Sequence, residues 1–580
     1  MQTENNKRIP RGEYPRPQFV RDCWMSLNGE WEFSFEKDSF DRKIIVPYVY
    51  QSELSGIGTN EECDVVWYRK NFTLPEAMQG KRILLHFGAV DYLCRVWVNG
   101  QLVMLHEGGH IGFEMEITQV LKEGENTIVV MAEDSVTDLE MPRGKQFWQK
   151  ESASIFYTRT TGIWQSVWLE AVGKGYLDYV HITPDLDYMK AEFQYEINGV
   201  AKAQLKTRIS FEGCEMASLA VDAEREAGSF SVMLDQQLLR NWNFQEDLAW
   251  TPENPRLFDV EFTLSVDGEV VDEVTSYFGM RKVSVENGRF LLNNRPYFQK
   301  LLLDQGYWRK SLLTAPEDED FVKDIELAKS MGFNGVRKHQ KIEDPRFLYH
   351  ADRLGFLVWG EIAAAYVYSR KYVQRITKEW MSEIVRDYNH PCIVAWTPLN
   401  ESWGVPNIKD NVEQQSHSAA MIYLTKSLDT TRPVISNDGW EHTCTDLLTV
   451  HDYEWQREVL EKRYSSLENI LQFTAAGRPL FANGWEYVGQ PILVTEFGGI
   501  SYQKGDSEGW GYSNAVSDED FAKRYNDVIA PLLASPYVQG FCYTELTDVE
   551  QEINGLLTYD REPKISVDTI RQINEGKWQA

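Results

Sequence analysis

Two glutamates carry the strongest chemical signal in the chain. Glu401 closes the stretch Trp396-Thr-Pro-Leu-Asn400-Glu401, and Glu496 lies in Leu493-Val494-Thr495-Glu496-Phe497-Gly498, 95 positions further on. Each follows a short apolar run, so each carboxylate should stand at the end of a buried strand, where apolar surroundings disfavour its charge. Two carboxylates facing each other at roughly 5 to 5.5 Å suit retaining glycoside hydrolysis: one attacks the anomeric carbon, the other first donates and later removes a proton. Asn400, next to Glu401, could hold a sugar hydroxyl beside the reacting carbon. The competing reading makes both glutamates structural ion-pair partners of neighbours such as Arg337.

The elements that must position these groups are legible as eight apolar runs: Phe298 to Leu303, Phe333 to Val336, Phe356 to Trp359, Cys392 to Trp396, Pro433 to Ser436, Leu447 to His451, Ile492 to Val494 and Val538 to Tyr543. Amphipathic segments such as Glu319 to Met331 and Val373 to Tyr388 separate several of them. Eight strands alternating with helices over residues 285–580 have the count and size of a (β/α)8 TIM barrel. A doubly wound sheet also alternates but rarely needs eight strands.

A barrel builds its site at the carboxyl ends of its strands. There the sequence supplies Asp304 after the first run, Arg337 and His339 after the second, Glu361 after the third, and Asn437 and Asp438 after the fifth. His451, Asp452 and Tyr453 follow the sixth run and Tyr543 ends the eighth. His339 could reach a sugar hydroxyl; His451 and Tyr453 could bind substrate or orient Glu496. Trp359, Trp403, Trp440 and Trp485 follow strand ends and offer either an aromatic wall or plain packing. Burial and the negative Glu496 are expected to raise the proton affinity of Glu401.

Upstream the rhythm is that of strands. Residues 1–173 alternate in runs such as Trp31-Glu-Phe-Ser-Phe35 and Arg95-Val-Trp-Val98, with turns at Asn99-Gly100, and read as a jelly-roll β-sandwich. Residues 174–284 have the spacing of a smaller immunoglobulin-like β-sandwich.

Composition excludes other classes. With 88 acidic against 59 basic side chains and a net charge of -29, no nucleic acid partner and no anionic membrane surface is expected. Seven dispersed cysteines without a CxxC pair predict neither a disulfide framework nor a zinc cluster. The amino terminus lacks the apolar stretch of a secretory signal, which points to the cytoplasm. A barrel amidase or metal-dependent hydrolase would need His and Asp clusters at several strand ends, and the chain has ten histidines in all.

Several strings together resemble glycoside hydrolase family 2, the family of β-galactosidases, β-glucuronidases and β-mannosidases. Leu27-Asn-Gly-Glu-Trp31, Val66-Trp-Tyr-Arg-Lys70, Val96-Trp-Val-Asn-Gly100 and Thr161-Gly-Ile-Trp-Gln165 resemble its amino-terminal sugar-binding-like jelly roll. Trp250-Thr-Pro-Glu-Asn-Pro-Arg256 and Tyr277-Phe-Gly-Met-Arg281 resemble the close of its immunoglobulin-like domain. Asn389-His-Pro-Cys-Ile-Val-Ala-Trp396 with Asn400-Glu401 resembles its acid/base segment, and Val494-Thr-Glu496-Phe-Gly498 its nucleophile segment.

The resemblance implies a retaining exo-β-glycosidase working by double displacement without cofactor or metal, on a carbohydrate substrate and compatible with a homo-oligomer. It also implies that Tyr453 hydrogen-bonds the nucleophile and that Tyr543 supplies the stacking ring which many members carry as Trp. The family's glucuronidases grip the sugar carboxylate with Asn-x-Lys. The matching stretch here, Glu552-Ile-Asn-Gly-Leu556, has no lysine, and Asn407-Ile-Lys409 follows the wrong strand. With the acidic loop Asp548-Val-Glu-Gln-Glu552 at the mouth, a β-galactosidase is expected. A β-glucuronidase, or a non-catalytic carbohydrate-binding protein, is the alternative.

Overall fold

Strict alternation builds the first sandwich in the structure, a computed structural model that describes residues 9–234, 247–504 and 508–579. Leu93–Val98 buries every second residue because successive side chains of a strand point to opposite faces. It pairs with Gln101–Glu107 across Asn99-Gly100. Both turn residues have positive φ, 49° and 82°, which suits the two-residue turn that matches strand twist. A six-stranded sheet, in the order Arg42–Val46, Gly29–Ser34, Val65–Thr73, Glu125–Glu133, Leu93–Val98, Gln101–Glu107, belongs with a four-stranded one of Trp24–Ser26, Val167–Val172, Arg82–Phe87 and Phe113–Glu116. Trp31, Phe33, Tyr68 and Leu85 share the core they form. The second sandwich sets three strands (Tyr176–Asp185, Lys190–Asn198, Ala227–Met233) with four (Ala203–Phe211, Cys214–Ala223, Phe258–Val266, Glu269–Phe278) around a core that includes Phe193, Phe258 and Phe262.

The remainder is a TIM barrel. Seven strands form one parallel sheet in the order Ile393–Thr397, Leu357–Glu361, Gly335–Lys338, Gln299–Asp304, Val538–Tyr543, Ile492–Phe497, Leu448–Asp452. Ile393–Thr397, Leu357–Glu361 and Leu448–Asp452 are buried at every position, as expected of parallel strands covered on both faces.

The fifth apolar run, Pro433 to Ser436, is not a regular strand. It makes an isolated parallel bridge from Val434 to Trp396, followed by a second from Asp438 to Asn400. Ile435 N donates to Trp396 O (2.9 Å) and Asp446 N to Val434 O (3.0 Å). Pro433 has no N–H to give, so the ladder here is sparse. Helices such as Arg370–Asp387, whose N-cap Ser369 accepts from Tyr372 N, cover the outside.

One loop of the first sandwich, residues 134–161, reaches the barrel. Arg143 N and Gly144 N both donate to Ala364 O (3.0 and 2.9 Å). Gly144 has φ +59°, and a Cβ there would fall 2.3 Å from Gln340 O, so only glycine fits. At the opposite rim Tyr157 Oη donates to Glu552 Oε2 (2.6 Å) and Thr158 N to Glu550 Oε1 (3.1 Å). The loop is thereby clamped to barrel segments that follow the second, third and eighth runs. Among the described residues no helix is long and apolar enough to cross a membrane.

Candidate active site

Glu496 lies within the strand Ile492–Phe497 and Glu401 four residues beyond Ile393–Thr397. One carboxylate oxygen of each, with a ring nitrogen of His451, lies within 4.8 Å of the others. That approach is compatible with a nucleophile and acid/base pair. The Glu496 side chain is 7% exposed and that of Glu401 17%, so Glu401 is the one nearer solvent. Glu401 and Ser402 both have left-handed backbones (φ 52° and 58°). Glu401 N donates to Asp438 O (3.0 Å) and Ser402 N to Asn437 Oδ1 (2.9 Å), which hold this strained turn.

Arg337, wholly buried, organises the floor. Its Nε donates to Glu361 (2.6 Å), its Nη2 to Asn400 Oδ1 (3.2 Å), and its Nη1 to Thr495 O (2.7 Å) and Glu496 Oε1 (3.4 Å), while Nη2 also forms an ion pair with Asp438 Oδ2 (2.7 Å). Burial penalises the Asp438 carboxylate, yet Arg337 and His451 hold its proton affinity well below the ordinary range. Asn400 has its oxygen fixed by Arg337, and among the described residues its Nδ2 amide has no partner, which makes it a donor available to a ligand. Tyr453 Oη donates to Glu496 Oε2 (2.8 Å) and lies 3.2 Å from Thr544 Oγ1.

His451 sits between the two glutamates. Nδ1 is 2.8 Å from Glu401 Oε1 and 3.4 Å from Glu496 Oε2, and Nε2 is 2.8 Å from Asp438 Oδ2. Burial pushes the imidazole down, but three carboxylates outweigh it and raise it to about 10. The expectation of a raised Glu401 is therefore corrected. Burial does raise it, but the hydrogen bond and charge of His451, with Lys145 behind, lower it overall.

Family models for the sugar-binding domain of glycosyl hydrolases family 2 (residues 33–170), for glycosyl hydrolases family 2 itself (175–281) and for the family 2 TIM barrel domain (283–576) match the chain in succession. The chain belongs to glycosyl hydrolase family 2. It is 28% identical over 423 residues to a β-galactosidase of Thermoanaerobacter pseudethanolicus, covering 70% of this chain and 53% of that one. It is 26% identical over 481 residues to a β-glucuronidase of Rattus norvegicus, covering 75% and 68%. The chain spans about half the length of the first curated relatives it matches. A solved Bifidobacterium dentium β-glucuronidase superposes with TM-score 0.79 at 20% identity, over 97% of this chain and 98% of that one. An Eisenbergiella tayi β-galacturonidase bound to galacturonate does so with TM-score 0.75 at 20% identity, over 98% and 99%.

Within this family 2 barrel the structure brings together Glu401, Glu496, Asn400, His339, His451 and Tyr453. His339 Nδ1 lies 3.0 Å from Glu361 and Nε2 3.9 Å from Glu496; burial first, then Lys145 and Arg337, lower it to about 3, so it is neutral. Three expected residues stand elsewhere. Asp304 is locked to Lys338 (2.6 Å) and to Gly306 N (2.8 Å). The Tyr543 ring is fully buried, 5.0 Å from the Tyr525 ring and with Gly498 pressed on its edge, so no face is left for a sugar. Half-buried Trp485 makes none of the contacts that join the others, among the described residues.

The tryptophans divide. Trp359 is packing, with Nε1 donating to Gln299 (2.8 Å). Trp403 does join an aromatic wall with Tyr366 (5.1 Å) and Phe156 (6.1 Å). The acidic loop is also corrected: Asp548 pairs with Lys564 (2.6 Å), while Glu550 and Glu552 hold the sandwich loop. Of its three acids, Asp548 is compensated by a cation, while Glu550 and Glu552 hold the sandwich loop through neutral donors.

Sequence reasoning missed Lys145. It is 8% exposed, with its ammonium 5.9 Å from the Tyr157 ring centroid. It is a charged neighbour of Glu401, His339 and Glu545, which follow three different strands. Among the described residues it makes no ion pair within 4.0 Å. The buried set Asp352, His390 and Cys392 could meet a metal by distance. However, Asp352 already accepts from Tyr277, His390 and Cys392 N, and burial keeps the thiol protonated.

Proposed function

We propose that the protein is a retaining exo-β-glycosidase, with Glu496 as nucleophile and Glu401 as acid/base. The observation that carries this is the pair of carboxylate oxygens within 4.8 Å of each other across the mouth. Glu496 attacks the anomeric carbon as the glycosidic bond breaks, and a proton passes through Glu401 to the leaving oxygen. Water then reaches the glycosyl ester and gives its proton back through Glu401. Tyr453 and Arg337 aim Glu496 from two sides, and the free amide of Asn400 meets a hydroxyl beside the reacting carbon. The clamped loop 134–161 closes one flank of the mouth, which suits a chain end rather than an internal unit.

The sugar we propose is a β-galactoside, since the stretch Glu552-Ile-Asn-Gly-Leu556 lacks a lysine for a carboxylate. A β-glucuronide is the second reading, favoured by Lys145 and by the pairing of Asp548 in the acidic loop with Lys564. Nitrophenyl β-galactoside, β-glucuronide, β-mannoside and β-glucoside decide between them. Preference for the galactoside supports the first reading and preference for the glucuronide the second. Turnover of none, with sugar binding retained, leaves a carbohydrate-binding protein.

A further inference from the structure

His451 bridges both catalytic carboxylates, and this bridge has a consequence for the route of the proton. Its ring is 1% exposed at the side chain and meets charged groups from three elements: Glu401 after Ile393–Thr397, Asp438 after the fifth run, and Glu496 in Ile492–Phe497. Arg337 stands behind Asp438 (2.7 Å), Trp440 presents its ring at 5.6 Å, and neutral His442 lies nearby. A Cβ at Gly439 would fall 2.6 Å from Nδ1, so the backbone there packs directly on the ring. Both ring nitrogens face carboxylates, the arrangement that suits an imidazolium donating to both. Of its three carboxylates, Asp438 is secured by Arg337. Glu496 is the one whose charge vanishes when it becomes an ester.

Resting on the reading of Glu401 as acid/base, we propose that His451 stores the proton that Glu401 delivers, as a positioning residue that cycles between imidazolium and imidazole once per turnover. In the free enzyme the proton lies on Nδ1 and Glu401 is a carboxylate. During glycosylation the bond from Glu496 to the anomeric carbon forms and the glycosidic bond breaks. Glu401 takes the proton from Nδ1 and passes it on to the leaving oxygen, ending again as a carboxylate. Two anions and one cation become one anion, one ester and one neutral ring, so the total charge is unchanged. Losing the Glu496 charge removes one of the groups that hold the imidazolium, so proton release from the ring and ester formation favour each other. When water displaces Glu496, its proton returns through Glu401 to Nδ1.

Two measurements test this. With aryl glycosides from dinitrophenyl to phenyl leaving groups, His451→Asn should lose about 100-fold or more in kcat/KM on the phenyl glycoside, which needs a proton, and change little on the dinitrophenyl one. Equal losses on both would overturn the proposal in favour of a structural role, and no loss on either would mean Glu401 is charged from solvent. In the wild-type protein, nitrogen-15 NMR of labelled histidines should show the His451 ring cationic when free and neutral in the trapped 2-fluoroglycosyl-enzyme. A ring in the same state in both overturns the proposal. Failure to trap any ester, or turnover of no glycoside, would instead strike the reading of Glu401 and Glu496.

Discussion

Arg337 shows at the scale of one residue how a single cation serves several strand ends. The guanidinium is shared among Glu361, Asp438 and Glu496, so no carboxylate has it alone. Arg337→Leu would leave those carboxylates buried around an uncharged side chain, and urea unfolding should show about 3–5 kcal/mol of lost stability. His451 predicts a pH profile. Because three carboxylates raise it to about 10, its proton stays in place on the basic side until pH approaches that value, and kcat/KM should hold until then. In His451→Asn the basic limb should move down by several pH units; an unmoved limb contradicts the assignment. Glu401 and Glu496 were legible as candidates because each lies at or shortly beyond the end of an apolar run. The charge of His451 was not, since it depends on where three strand ends meet: a register shift between Val450 and His451 is what sets the ring opposite Glu496. The burial argument for Glu401 was sound as far as it went but lacked that cation.

At the scale of elements, the loop 134–161 and the sparse fifth strand decide the shape of the mouth. Gly144→Ala would place a Cβ against Gln340 O, at a φ that side chains resist. The loop should then lift, taking Lys145 and Phe156 with it. The expected outcome is at least about a tenfold loss of kcat/KM with a smaller effect on the melting temperature, because the large cores of the two sandwiches and the barrel contain no residue of this loop. The alternating sandwiches and the barrel strands were readable from periodicity. The role of Asp548 to Glu552 was not, because Tyr157 and Thr158, which engage Glu552 and Glu550, come from another domain nearly four hundred residues earlier. The fifth run reads as a strand by its apolar residues, and only the missing N–H of Pro433 hints that its ladder is incomplete.

Across the whole molecule, family 2 architecture fastens the first sandwich to the barrel at a second point that should respond to pH. Glu379, buried in the helix Arg370–Asp387, accepts from His110 N (3.2 Å). Burial raises its carboxyl to about 7 despite that bond. A raised acid favours the folded state below its unfolded value near 4.5, and that contribution is lost as pH rises through about 7. Glu379→Gln should therefore match the wild type at pH 4 and exceed it at pH 8 by on the order of 2–3 kcal/mol. Equal pH dependence of the two would contradict the argument. The central claim, that Glu496 forms a glycosyl ester while Glu401 handles the proton, is tested most directly by trapping. Incubation with a 2-deoxy-2-fluoro-β-glycoside of the preferred sugar, followed by peptide mass analysis, should place one glycosyl adduct on Glu496 and none in Glu496→Gln. An adduct on another residue, or a fully inactivated enzyme carrying none, would contradict it.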